Sequence, residues 1–154
     1  VFSGKSRERF SRDVGIKMDL MNIQWVYRAK QYYRMLPAEI YALTLPYHFH
    51  LSTEEFKAIV EAPNVEEMKK QIENTYYGTH VHMKEGQSIE KGIKDILRDL
   101  YISDRQKDPY SDATMHAFLF LKEQEIDKLT TALECIRYGL TRQEILTYLG
   151  GESK

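Results

Sequence analysis

The stretch DLMNIQWVYRAKQYYRMLPAEI, Asp19 to Ile40, decides how the rest of the chain is read. An acid, an Asn-Ile pair and a series of aromatics and bases run into Leu-Pro-Ala-Glu-Ile. Pro37 there suits the first turn of a new helix, where a missing N–H costs nothing. A weaker echo, EIDKLTTALECIRYGLTRQEIL, occupies Glu125 to Leu146. Shifted by 106 residues, Asp19 meets Glu125, Ile23 meets Leu129, Tyr27 meets Leu133 and Tyr32 meets Tyr138. After a one-residue slip placed in the intervening loop, Glu39-Ile40 meets Glu144-Ile145. Such an echo predicts a long helix, a turn and a short capped helix, used twice and packed side by side.

Outward from these two copies, helix signals dominate and no stretch alternates cleanly with period two, so the expected fold class is all-α. Ser52-Thr-Glu-Glu55 and Thr141-Arg-Gln-Glu144 have capping-box spacing, and Asn64 precedes Glu67 in the same way. Helices are predicted to start near residues 37, 53, 65 and 142, with longer ones over 15–36, 87–102 and 112–140. The last would run about 43 Å. Tyr76 to Gly86 has no helical period, and Asp104 to Ser111, with Asp108-Pro109, reads as a turn. The expected organisation is a first helical module at 1–86, incomplete at its N-terminus, and a second at 87–154.

Two patterns on the long helices bear on partners. Met115, Leu119, Lys122, Ile126, Leu129, Leu133, Ile136 and Leu140 alternate in spacings of four and three, the seam of nearly parallel or antiparallel packed helices. The opening helix carries two apolar stripes, Leu20/Ile23/Tyr27 and Met21/Trp25/Tyr32/Leu36, a pattern expected of a helix sandwiched between layers or shared with a partner. Lys17, Gln24, Arg28 and Gln31 form a polar stripe between them with no acid among its members.

The chain of 154 residues is 42% hydrophobic, enough for the core of an ordinary domain. Its longest apolar run is Ala117 to Leu121, far short of a membrane span. It begins without Met, which suggests a fragment or a processed product, and VFSGKSRERF lacks the apolar core of a signal peptide. One cysteine, Cys135, excludes an internal disulfide, fits a cytoplasmic protein and is expected to be a buried small hydrophobe. The formal net charge of −1 hides a basic start: residues 1–34 carry eight bases against three acids. Such an end can meet an acidic partner or simply be a solvated face.

Chemistry-bearing motifs are sparse. His48-Phe-His50 and His80-Val-His82 have the i, i+2 spacing that turns two imidazoles towards one zinc, but no HExxH or cysteine pair accompanies them, and no metal is expected. Tyr27 to Arg34, YRAKQYYR, interleaves bases with aromatics as nucleic-acid binders do, yet the charge balance gives no broad basic surface. No phosphate loop, nucleophile elbow or dinucleotide glycine pattern occurs. No activity of the chain's own, no cofactor, no small-molecule substrate and no nucleic acid are therefore expected. The residues alone leave a structural coupling role, a helical adaptor or nucleic-acid-binding module, and a His-based metal enzyme as the classes to weigh.

Asp19, Asn22, Ile23 and Arg28, then Leu45-Pro46 and Leu51-Ser52, then Lys122-Glu-Gln-Glu-Ile126, Gly139-Leu140 and Glu144-Ile145 stand in a telling order. That order resembles the C subunit of bacterial and archaeal V/A-type rotary ATPases, the d subunit of the eukaryotic enzymes. Two departures stand out: Glu134 takes the place that Arg28 holds in the first copy, and His48-Phe-His50 occupies a turn that is usually glycine-rich. The resemblance implies about one and a half of three helical modules that form a funnel with pseudo-threefold symmetry. It implies a non-catalytic central-stalk component of an ATP-driven or ATP-synthesising ion pump, at the inner face of the membrane. Its partners would be the D and F subunits of the rotor axle and the membrane proteolipid ring. In a funnel, a lining of long polar side chains can seat an axle tip without burying unpaired charge, which makes Lys17, Gln24, Arg28 and Gln31 the candidate partner-binding residues.

Overall fold

The computed structural model describes residues 4–80, 89–110 and 112–149. They form eight α-helices and, among the described residues, no strand: α1 (Gly4–Arg28), α2 (Pro37–Leu43), α3 (Thr53–Glu61), α4 (Val65–Glu73), α5 (Tyr76–His80), α6 (Ile89–Lys107), α7 (Asp112–Arg137) and α8 (Arg142–Tyr148). A π-helical turn, Ala29–Tyr33, ends α1. Contacts divide the chain into two compact units, residues 1–100 and 101–154, so that α6 contributes to both.

The caps decide where the short helices begin. Ser52 and Thr141 each accept the N–H three residues on, while Glu55 and Glu144 reach back to the N–H of the cap residue. Asn64 accepts from the Glu67 N–H to start α4. Leu36 has no acceptor to offer, and Glu39 alone holds its N–H, at 2.7 Å, in front of Pro37. Those four starts are where the sequence put them.

Three long-range boundaries differ from expectation. The opening helix starts at Gly4 rather than near residue 15. Its first turns are rich in Arg and Lys with an irregular apolar pattern, so good helix formers extend it where periodicity is silent. The stretch from Tyr76 contains α5, a single turn too short to show a period, begun where the Gly78 and Thr79 N–H groups bond the Thr75 carbonyl. Residues 81–86 of that stretch, with His82, lie outside the described residues. Finally, α6 continues through Asp104, which is buried, to Lys107, and only Asp108-Pro109 breaks it.

In the first unit Leu20, Ile23 and Val26 of α1 are fully buried, together with Ile40, Ile59, Val60, Met68, Ile72 and Tyr77 from α2 to α5. Of the two apolar stripes predicted on the opening helix, Leu20/Ile23 lies in this core, whereas Tyr32 and Leu36 of the other are exposed. In the second unit α7 buries Ala117, Phe120 and Cys135, and the Phe120 ring meets Tyr101 of α6 at 5.1 Å. Cys135 is a buried free thiol.

The two copies share their joint. Helix α1 with its π turn ends at Arg34 in the left-handed conformation, φ 50°, and α7 ends at Gly139, φ 72°. Each joint is followed two residues later by a helix N-cap and a helix of seven residues with Glu at its third position. At the second joint the Leu140 N–H bonds the Cys135 carbonyl and the Gly139 N–H bonds the Ile136 carbonyl, a Schellman closure. At the first, the N–H groups of Arg34 and Met35 both converge on the Ala29 carbonyl. Arg34 and Gly139 stand 105 residues apart, not 106. The one-residue slip expected in the loop therefore falls inside the helix, where a π turn is the structure that takes up a single extra residue.

Candidate partner-binding face

The first-copy residues of the family resemblance, Asp19, Asn22, Leu45 and Leu51, are widely spaced in sequence and meet around α1. Its period places Asp19 and Asn22 on the same face as Leu20 and Ile23, and all four are fully buried. Asp19 accepts the N–H groups of Phe49, His50 and Leu51 at 3.0, 2.7 and 3.2 Å. The Tyr77 hydroxyl donates to the same carboxylate at 2.7 Å. Burial, and then this bond to Asp19, push the Tyr77 phenol far up, so it stays a donor throughout the ordinary pH range. Asn22 holds the loop's other end: it accepts from the Leu45 N–H at 2.8 Å and donates to the carbonyls of Leu45 and Tyr47 at 3.1 and 3.4 Å. A buried carboxylate is costly unless its oxygens are filled, and here four donors fill them. Gly15 lets the loop come close, since a Cβ there would stand 2.5 Å from the Phe49 ring.

The candidate stripe lies on the same helix. Lys17, Arg28 and Gln31 are exposed and Gln24 is half-buried. The fold brings an acid to it that the local sequence does not contain: the Arg28 Nε lies 2.7 Å from Glu90 Oε1 of α6. Gln31 belongs to the π turn, whose wider winding carries it off the line that α spacing draws from Lys17 through Gln24 and Arg28. Lys17 thus stands as an exposed cation on the stripe and Arg28 as half of an ion pair.

Beside the stripe a cleft of about 470 Å³ is lined by Trp25, Arg28, Ala29, Tyr33, Met35 and Leu43. The π turn forms one wall of it. Tyr27 and Tyr32 meet edge-on at 6.2 Å, and burial, then Tyr32, raise the Tyr27 phenol above its ordinary value. Two of the three bases of YRAKQYYR bond to the fold: Arg28 pairs with Glu90, and the Lys30 Nζ donates to the Ala62 carbonyl at 2.6 Å, its pKa lowered by burial, while Arg34 is exposed. A segment whose cations bind its own fold has fewer left for phosphates.

His48 and His50 are placed as ring partners, whereas His82 and the side chain of His80 lie outside what the structure describes. His48 lies 4.7 Å from Phe56, and its buried Nδ1 has no hydrogen-bond partner among the described residues. His50 stacks on Tyr76 at 3.9 Å. Among the described residues no group of three or more His, Cys, Asp or Glu could hold a metal ion.

A family model described as ATP synthase (C/AC39) subunit matches residues 1–148. The chain belongs to this family. It is the family of the V/A-type ATPase C subunit and its eukaryotic d counterpart, and its members are non-catalytic stalk proteins. No curated protein and no solved structure gives a match. Asp19, Asn22, Leu45 and Leu51 are among the residues the resemblance singled out, and the fold joins them through hydrogen bonds. Among the described residues no helix of this C/AC39-family chain is long and apolar enough to cross a membrane.

Proposed function

We propose that this chain is a central-stalk segment of a V/A-type rotary ATPase that couples the D and F axle subunits to the membrane proteolipid ring, carrying torque at the inner face of the membrane without chemistry of its own. The family match over residues 1–148 carries the reading. The joint built twice, at Arg34 and at Gly139, supports it, because a funnel of similar modules needs the same helix-to-helix angle in each. On this reading residues 1–86 and 87–154 belong to successive modules and the stripe of Lys17, Gln24, Arg28 and Gln31 faces the axle.

Lys17→Glu is the cleaner probe of the stripe, since Arg28→Glu would also set an acid against Glu90. In the full-length protein, Lys17→Glu slows association with the D–F pair by about tenfold at low salt and by less at high salt, with helicity unchanged. Surface plasmon resonance at two ionic strengths reads this; undiminished association at low salt would show that the axle is gripped elsewhere.

A further inference from the structure

The cleft beside the stripe joins apolar walls to a guanidinium with donors to spare. Trp25 and Arg28 come from α1, Ala29 and Tyr33 from the π turn, Met35 from the joint and Leu43 from α2. Arg28 is the one charged residue of this lining, and Tyr33 and Leu43 remain 73% and 56% exposed. Among the described residues the Arg28 guanidinium has a single partner: its Nε donates to Glu90 Oε1 at 2.7 Å. A guanidinium carries five N–H donors in a fixed fork, so both terminal nitrogens of Arg28 have no acceptor among the described residues. The side chain is half exposed, which leaves that forked end open at the rim of the cleft while Glu90 steadies its other edge. The π turn that builds one wall is a kind of winding found often at functional sites.

A cleft of about 470 Å³ falls within the size range of small-molecule sites, in which apolar walls supply contact and a few polar groups fix orientation. The polar group here is one cation with a forked end, whose natural complement is a carboxylate met by two parallel N–H···O bonds. A phosphate monoester would bring a second charge for which the lining has no further cation. We propose that the cleft binds a small apolar carboxylic acid in its anionic form, an aryl or medium-chain alkyl acid. Its apolar body lies between Trp25, Tyr33, Met35 and Leu43, and its carboxylate takes the two terminal nitrogens of Arg28 while Glu90 keeps Nε. Met35, unbranched and adaptable, accommodates bodies of differing shape. An acid so placed bridges α1 and α2 across the left-handed joint at Arg34 and steadies the angle between them. Nothing in this rests on the rotary-pump reading, since the cleft and the open end of Arg28 suffice. Arg28 also belongs to the stripe assigned to the axle, so a bound acid and the axle would compete for it.

Trp25 is the sole tryptophan of the chain and lines the cleft, so its emission reports occupancy. Phenylbutyrate serves as the probe and phenylbutyramide, of nearly the same shape without the charge, as the control, each followed on the whole chain by Trp25 fluorescence and by titration calorimetry. The acid is expected to bind saturably with a Kd of about 1 mM or tighter, and the amide about tenfold more weakly or worse. Arg28→Lys keeps the charge without the fork and weakens the acid by about fivefold. Arg28→Gln removes both and brings the acid to the level of the amide, with circular dichroism checking that each variant is folded; should the glutamine variant fold poorly, the lysine variant decides. Tyr33→Ala, at a largely exposed position, weakens acid and amide alike. The absence of saturable heat and fluorescence change with the acid would overturn the proposal, as would equal affinity for acid and amide, or affinity indifferent to Arg28→Lys or to Tyr33→Ala. Tighter binding of the blocked dipeptide acetyl-Phe-Glu-amide than of the free acid would also overturn it, in favour of an acidic, apolar segment of a partner protein.

Discussion

Helices α1 and α7 carry related sequences and end in related joints, yet the matching face is buried in one and exposed in the other. Around α1, the turn 49–51, Tyr77 and the helices from α2 to α5 close over Asp19, Asn22, Leu20 and Ile23. Along α7 the corresponding acid is exposed and held by a lysine one turn away. The same type of residue at the same register thus does opposite work. A carboxylate that organises a loop in one copy is a solvated charge in the other, and what separates them is the covering segment, not the helix that presents the acid.

That contrast can be broken at its strongest point first. Asp19→Asn leaves one oxygen to meet donors that two now serve, and is expected to destabilise the first unit by about 2–4 kcal/mol, whereas Glu125→Gln changes stability by less than about 0.5 kcal/mol. Urea titration of both variants reads the difference, and equal losses would erase the distinction between the copies. Next, Asn22→Ala strands the Leu45 N–H and costs about 1–3 kcal/mol, against near neutrality for Lys128→Ala at the matching position.

The joints should respond with opposite signs. Gly139→Ala meets no neighbour within 4 Å but forces a side chain into φ 72°, and is expected to cost about 1 kcal/mol. Arg34→Gly relieves the same strain at φ 50° and is expected to gain a few tenths of a kcal/mol, the relief being offset by extra freedom in the unfolded chain. Thermal denaturation of the two variants checks the pair.

The smallest effect is one of pH. Hydrogen bonds from the Thr141 hydroxyl and then its N–H hold the Glu144 carboxyl below its ordinary value of 4.5. A depressed carboxyl stabilises above the unfolded value and loses that contribution as pH falls through the folded one. The start of α8 is therefore expected to fray as pH falls below 4.5 and through the folded value, visible as loss of amide protection at its first turn.

How much of this was legible follows from the range of each signal. Helix starts at residues 37, 53, 65 and 142 were readable because a cap is written within four residues. The turns of α1 before residue 15 were not, since they rest on propensity without a regular apolar stripe. α5 is too short for a period. The heptad-like seam of α7 was visible in the sequence, but not that it faces solvent, because burial depends on what lies opposite. Asp19 and Asn22 were recognisable only through resemblance: their partners lie 23 to 58 residues away. The Arg28–Glu90 pair spans 62 residues and changes the reading of a stripe that looked free of acids. Lys17 was placed on an exposed face by periodicity alone, and the fold puts it there.

The π turn at Ala29–Tyr33 also bears on how two related segments drift apart in length. Adding a residue to the middle of a buried helix rotates everything beyond it by about a quarter-turn or more and would swing the core residues into water. Here the last large core residue of α1, Val26, precedes the turn, and the left-handed joint follows it. An extra residue absorbed between those two points leaves the phase of the core upstream and the geometry of the corner downstream both intact. The turn works as an expansion joint, a place where a lineage can change the count of its residues without redrawing the fold.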